Sequence, residues 1–173
     1  KRLGNINTLK KFEKTFSYKI IITTPFRKNR KITSSTLIRK SIARGKVDVV
    51  QKLLGRPWSI EGKVIKGEKR GRKIGFPTCN IKWNSYVLPK LGVYAVKIES
   101  KNFNKRGIAN IGYRPTFNGK TLLLEVNIFG IKTNLYNKTL KISFMKFVRS
   151  EKKFNNISEL KNQIKKDIIT AKK

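Results

Sequence analysis

Between residues 62 and 80 the chain reads GKVIKGEKRGRKIGFPTCN. Gly67, Gly71 and Gly75 leave backbone N–H groups open to close approach, and Lys69, Arg70, Arg72 and Lys73 add four cations. Together they have the makings of a phosphate cradle. The GKS or GKT ending of a Walker A loop is absent, and an ordinary basic hairpin loop is the other reading. Pro77 fixes the entry to a strand on which Thr78 and Asn80 share one face while Cys79 points to the other. Their hydroxyl and amide oxygens are hard ligands of the kind that hold Mg²⁺ on nucleotide phosphates, and Mg²⁺ takes only one or two protein ligands. The same two side chains would serve equally to satisfy turn hydrogen bonds at a strand edge.

Two further groups of residues could do chemistry. In the run Leu122-Leu123-Leu124-Glu125-Val126-Asn127-Ile128, period two puts the even-numbered residues on one face and Glu125 with Leu123 and Asn127 on the other. An acid in the middle of an apolar strand is either solvated on the outer face of a sheet or lines a pocket, where it suits a general base. Arg149, Glu151 and Phe154 share a short segment near the end of the chain. They could clamp a planar heteroaromatic ligand by stacking and by hydrogen bonds to its edge, or form an exposed loop with a surface ion pair.

Composition narrows these options. The 173 residues include 42 Lys plus Arg against 9 Asp plus Glu, a formal net charge of +33, with no histidine and one cysteine. The usual zinc sites and every Ser-His or Cys-His pairing are therefore excluded, and proton transfer falls to a carboxylate, a Lys or a Tyr. A pI near 10.7 resembles that of a nucleic-acid binder. However, 31 Lys, 21 Ile and 15 Asn against 11 Arg suggest a drift toward residues with A- and U-rich codons, and no basic run exceeds two residues. Nucleic acid is therefore not the expected partner. A lone Cys79 forbids an internal disulfide and fits a reducing compartment. No apolar stretch approaches the roughly 18 residues of a membrane span, and the start, KRLGNINTLKKFEK, lacks the apolar core of a signal peptide. A cytoplasmic protein is the expectation.

The elements that must position these residues fall into two parts. Residues 8–54 read as α/β material: a polar, helical segment, a short strand Ile20-Ile21-Ile22, a loop from Pro25 to Lys31, a helix capped by Ser35 and ended by Gly45, and a second short helix that stops at Gly55. The turn Gly55-Arg56-Pro57 marks the expected boundary between a domain over residues 1–55 and one over 56–173. Beyond it lie six short β-rich runs: Trp58 to Lys66, Thr78 to Trp83, Val93 to Ser100, Gly107 to Ile111, Leu122 to Phe129, and Leu140 to Val148. Six strands with short connections predict a closed antiparallel barrel, which hides its edges. Asn156 with Glu159 predicts a capped C-terminal helix, and Ile157, Leu160, Ile164 and Ile168 give it an apolar face to lay across the barrel.

Residues 57–173 closely resemble the riboflavin kinase domain of bacterial bifunctional FAD synthetases, on GKVIKGEKRGRKIGFPTCNI, VLPKLGVYAV, ANIGYRPTF, LLLEVNIF, LYNKTLKISFMKFVRSEKKF and the closing helix. The resemblance implies a mainly β fold, the six-stranded Greek-key barrel of riboflavin kinases with a C-terminal amphipathic helix. The family's PTAN motif falls on Pro77-Thr78-Cys79-Asn80, which implies Thr78 and Asn80 as ligands to Mg²⁺ and ATP phosphate. Cys79 replaces the usual Ala. The glycine loop falls on Gly67 to Gly75, with Arg72 as the phosphate cation, and the catalytic base falls on Glu125. The flavin-side loop falls on Arg149, Glu151 and Phe154. The implied reaction is ATP-dependent phosphorylation of the riboflavin 5′-hydroxyl, giving FMN and ADP.

The N-terminal part resembles the tail of the companion adenylyltransferase domain. KRLGN is similar to the end of a basic motif there, and Ile32 to Arg39 resemble the ISSTxIR signature of that nucleotidyltransferase class. Since the class also requires an upstream histidine motif and this chain has no histidine, FAD synthetase activity is expected to be absent, through truncation or gene decay. Two other readings remain open at the level of sequence: a basic β-barrel that binds RNA or DNA, and a decayed kinase kept for binding flavin. The aromatic residues sit mostly beside Gly and Pro or inside apolar runs, which gives the first of these few stacking platforms.

Overall fold

A computed structural model describes residues 5–24, 26–28, 31–116, 119–131 and 133–173. The chain divides into two compact units, Lys1–Thr33 and Ser34–Lys173. Most of KRLGN, part of the expected loop at 25–31, and the Phe that closes ANIGYRPTF lie outside the described residues.

In the first unit, helix α1 (Ile6–Phe12) begins where the Asn5 side chain accepts the Thr8 N–H at 2.9 Å. Within and just after the expected loop, strands β1 (Arg27–Lys28) and β2 (Lys31–Ile32) pair antiparallel over two residues each. The strand expected at Ile20 to Ile22 does not form. Ile21 is 81% exposed, and the Ile20 N–H is taken by the Glu13 carboxylate at 2.7 Å. A β-branched run needs a partner strand to satisfy its backbone, and among the described residues none pairs with it.

The second unit opens with two helices, α2 (Ser35–Ala43) and α3 (Val47–Leu54). The α2 cap is Ser34 rather than the expected Ser35. Its hydroxyl accepts the Leu37 N–H at 3.2 Å, so the backbone turns helical one residue earlier. Gly55 ends α3 at φ 72°, a left-handed conformation that favours glycine. Ile42, Val47 and Val50 from these helices join the same buried cluster as the barrel strands, so the helices share the barrel's core.

The barrel comprises β3 (Trp58–Ile65), β4 (Cys79–Lys82), β5 (Gly92–Ser100), β6 (Phe103–Thr116), β7 (Gly119–Ile128) and β8 (Thr139–Arg149), with the one-turn helix α4 (Arg70–Lys73) between β3 and β4. The ring runs β3-β4-β7-β6-β5-β8 and closes on β3, antiparallel throughout. β5, β6 and β7 form a meander, and β4 pairs with the far end of it, the Greek-key connection. Closure removes every strand edge, as six runs with short connections predict. Trp58, Ile60 and Val64 of β3, Leu124, Val126 and Ile128 of β7, and Leu140, Ile142 and Phe144 of β8 point inward and are buried.

Helix α5 (Ile157–Lys172) packs on β5, β6 and β8. Its Asn156 cap forms as expected, with the Glu159 N–H donating to Oδ1 at 2.9 Å. Leu160, Ile164 and Ile168 are half-buried, whereas Ile157 is exposed. The most buried residue of the helix is Asp167. Among the described residues, no helix is long and apolar enough to cross a membrane.

Candidate active site

The loop between β3 and β4 is shaped by two close approaches. A Cβ on Gly67 would run into the side-chain amide of Asn80, and one on Gly71 would strike the Phe76 carbonyl and lie 3.1 Å from the Thr78 hydroxyl. Glycine at these positions lets the loop backbone lie directly against the two polar residues of the PTCN segment. The Phe76 N–H donates back to the Gly71 carbonyl at 2.8 Å, and Gly75 turns at φ 89° to leave α4. Pro77 then leads into β4, where the Asn127 side chain donates to its carbonyl at 2.7 Å.

Barrel register does the rest. Asn80 on β4 lies directly opposite Glu125 on β7, and Glu125 lies opposite Asn110 on β6. The same row continues through Val93 to Arg149. Residues opposite each other in an antiparallel pair share a face, with Cβ atoms roughly 5 Å apart. Because Leu124 and Val126 fill the interior, this polar row stands on the outer face of the barrel. Cys79 takes the other face, packs on the core and donates its thiol to the Val126 carbonyl at 3.5 Å. Burial pushes the thiol up to about 11, so it stays neutral near pH 7.

Two hollows share Lys69, Thr78 and Tyr136 in their linings. One is a cleft of about 520 Å³ lined also by Arg72, Pro77 and Leu135 and by the inward-facing Val64, Cys79 and Val126. The other is a small pocket of about 20 Å³ that Gly67, Asn80, Glu125 and Arg114 also line. That volume is room for a single water or ion. Over this pocket the Glu68 carboxylate pairs with Arg70 Nε at 2.6 Å and with an Arg114 terminal nitrogen at 3.3 Å.

Of the residues singled out from the sequence, Gly67, Thr78, Asn80 and Glu125 meet in the small pocket, and Arg72 and Pro77 line the larger cleft. Gly75 lines neither; its part is the turn. Arg149, Glu151 and Phe154 stand apart from both hollows. The Glu151 carboxylate lies against Gly112, beside Asn110, and the Phe154 ring centroid is 5.8 Å from the Arg149 guanidinium carbon. Arg149 is itself engaged by Asp167 of α5. Its Nε donates to both carboxylate oxygens at 3.0 Å and a terminal nitrogen adds a 2.8 Å bond, while Gln163 holds the same carboxylate at 2.9 Å. Arg114, Tyr136 and Asp167 were not among the candidates. Asn127 had a signal, since period two places it on the face of Glu125.

The family described as Flavokinase: Riboflavin kinase matches residues 54–173. The bifunctional riboflavin kinase/FMN adenylyltransferase of Haemophilus influenzae is 42% identical over 99% of this chain and 56% of its own length. The protein of the same description from Bacillus subtilis is 48% identical over 78% of this chain and 44% of its own. The chain thus spans about half the length of the curated relatives it matches. A crystal structure described as a macrolide-efflux protein from Streptococcus pneumoniae superposes with a TM-score of 0.83 at 34% identity, over 96% of this chain and 54% of that one.

Proposed function

The chain belongs to the riboflavin kinase family, and from that premise we propose that it transfers the γ-phosphoryl group of ATP to the 5′-hydroxyl of riboflavin, giving FMN and ADP. The observation that carries this reading is the placement of Asn80 directly opposite Glu125 in a small pocket that shares Lys69 and Thr78 with the cleft bearing Arg72. A phosphate chain has its cations there, and an acceptor hydroxyl has its base.

In this reaction ATP lies in the 520 Å³ cleft with its phosphates toward Lys69, Arg72 and Thr78. Glu125 accepts the proton of the riboflavin 5′-hydroxyl as that oxygen bonds to the γ-phosphorus. The bond to the β–γ bridging oxygen breaks in line, and ADP departs with the electron pair. Thr78, Asn80 and Glu125 line the small pocket and carry hydroxyl, amide and carboxylate oxygens, a donor set that fits Mg²⁺. Thr78 and Asn80 would hold the ion, which when bound supplies charge neutralisation at the phosphoryl oxygens. The lack of any cluster of three Asp, Glu, Cys or His among the described residues is compatible with this, because Mg²⁺ keeps most of its waters.

On the acceptor side, Phe154 stacks on the flavin ring, and Glu151 and Arg149 bond to its edge, with Asp167 holding the guanidinium in place. Residues 56–173 form the kinase barrel, and residues 1–55, of which Ser34 onward packs in the barrel's own unit, resemble the C-terminal end of a nucleotidyltransferase domain. With no histidine for adenylyl transfer, these 173 residues convert no FMN to FAD. A cytoplasmic setting suits the single unpaired thiol.

Riboflavin and MgATP incubated with the protein should yield FMN and ADP in equal amounts. FMN and MgATP should yield no FAD in the same preparation. Absence of FMN in the first reaction refutes the kinase, and FAD in the second refutes the absence of adenylyl transfer.

A further inference from the structure

We propose that Arg114 is a further catalytic residue, whose guanidinium contacts the γ-phosphoryl group during its transfer and whose place Glu68 fills when no nucleotide is bound. The inference rests on the kinase reading above. Three cations line the small pocket with Thr78, Asn80 and Glu125: Lys69, Arg70 and Arg114. They differ in how firmly they are held. Lys69 and Arg70 belong to the β3–β4 loop, and the Arg70 side chain is 73% exposed. Arg114 projects from β6 where that strand is bonded to β7, opposite Thr121, and its side chain is only 22% exposed. A barrel strand fixes a charge more closely than a loop does, and a fixed charge stabilises a transition state without reorganising.

Arg114 also lies on the correct face. Period two along β6 puts residue 114 with Asn110, which is opposite Glu125. The barrel therefore presents the base and this cation from adjacent strands toward one pocket. A guanidinium offers five N–H donors in a fork suited to phosphate oxygens. In the structure, one terminal nitrogen meets a carboxylate oxygen of Glu68. Glu68 is 54% exposed and is also bound by Arg70, so its single charge is shared between two guanidinium groups. A half-exposed ion pair of this kind is weak and readily exchanged. The incoming phosphoryl oxygens, with more charge than one carboxylate, displace Glu68 and take both forks of Arg114.

The test compares the parent with Arg114→Ala, Arg114→Gln and Glu68→Gln. Affinities for MgADP and for the Mg²⁺ complex of the β,γ-imido analogue of ATP are measured by calorimetry, and FMN formation is followed alongside. Arg114→Ala and Arg114→Gln should bind the analogue at least tenfold more weakly while MgADP affinity stays within threefold, and kcat should fall by about 10²–10³. Glu68→Gln, which removes the competitor, should bind the analogue at least as tightly as the parent. Equal losses for MgADP and the analogue, a parent-like kcat in either Arg114 variant, or weaker analogue binding by Glu68→Gln would each overturn the proposal. Should both Arg114 variants fail to fold, the Glu68→Gln measurement decides alone. Failure of the kinase reading is seen separately, as no FMN from the parent.

Discussion

Glu125 and Cys79 sit one strand apart and show how one register sets two chemistries. Cys79 pairs with Val126 and Asn80 with Glu125 across the same ladder, so the thiol faces the core while amide and carboxylate face the pocket. Burial raises the Cys79 thiol from an ordinary value of 9.0 to about 11 and raises the Tyr94 phenol as well. Groups whose acidity is weakened by folding contribute stability below their unfolded pKa and lose it as pH rises through the folded one. Melting temperature should therefore decline from about pH 9 upward. Cys79→Ala should lose less between pH 8 and pH 11 than the parent, as read by thermal melts across that range. An identical pH dependence in the variant would show that the thiol is not desolvated. Near pH 7 the same burial makes the thiol a poor nucleophile; of the two carboxylates that line the small pocket, Glu68 is paired with Arg70 and Arg114, and Glu125 is the one proposed as the base.

At the level of elements, the β3–β4 loop and the β4–β7 ladder place the site together. Gly67→Ala would drive a methyl group into the Asn80 amide, the far end of a side chain that can move. The expected result is a loss of at least tenfold in kcat/KM for ATP, roughly 1.4 kcal/mol, with a melting temperature close to the parent's. Steady-state kinetics and a thermal melt measured together check both halves. Much of this arrangement was legible beforehand. Leu124 to Ile128 alternate apolar and polar, so the shared face of Glu125 and Asn127 followed from period two, and Asn156 with Glu159 marked the start of α5. Ile20 to Ile22 carried the same β-branched signal but no partner strand, and pairing is what makes such a run a strand. Arg114, Tyr136 and Asp167 were not legible as site residues, because their neighbours are set by barrel closure and helix docking. Asp167 in particular looks like one more polar position of an amphipathic helix until α5 seats it on Arg149.

For the whole molecule the charge of +33 is the dominant physical fact, and the site uses little of it. Lys69, Arg70, Arg72 and Arg114 line the two hollows. Elsewhere like charges face each other, as Lys63 and Lys82 do across β3 and β4, both exposed. Such self-repulsion opposes the compact state and is screened by salt, whose Debye length shrinks to about 10 Å at 0.1 M. Raising NaCl from about 20 mM to 200 mM, which shortens that length further, should raise the melting temperature by a few degrees in scanning calorimetry. A fall would mean that the five ion pairs recorded among the described residues outweigh the repulsion. The barrel and its helices form one unit around one core, and the family match from residue 54 onward lies wholly within it. Whether this unit phosphorylates riboflavin through Glu125, as proposed, is read by following FMN formation from riboflavin and MgATP in the parent and in Glu125→Gln. The parent should form FMN, and kcat should be lower by about 10²–10⁴ in the variant, with binding of riboflavin and MgADP retained. No FMN from the parent, or a variant that turns over at the parent's rate, would overturn the proposal.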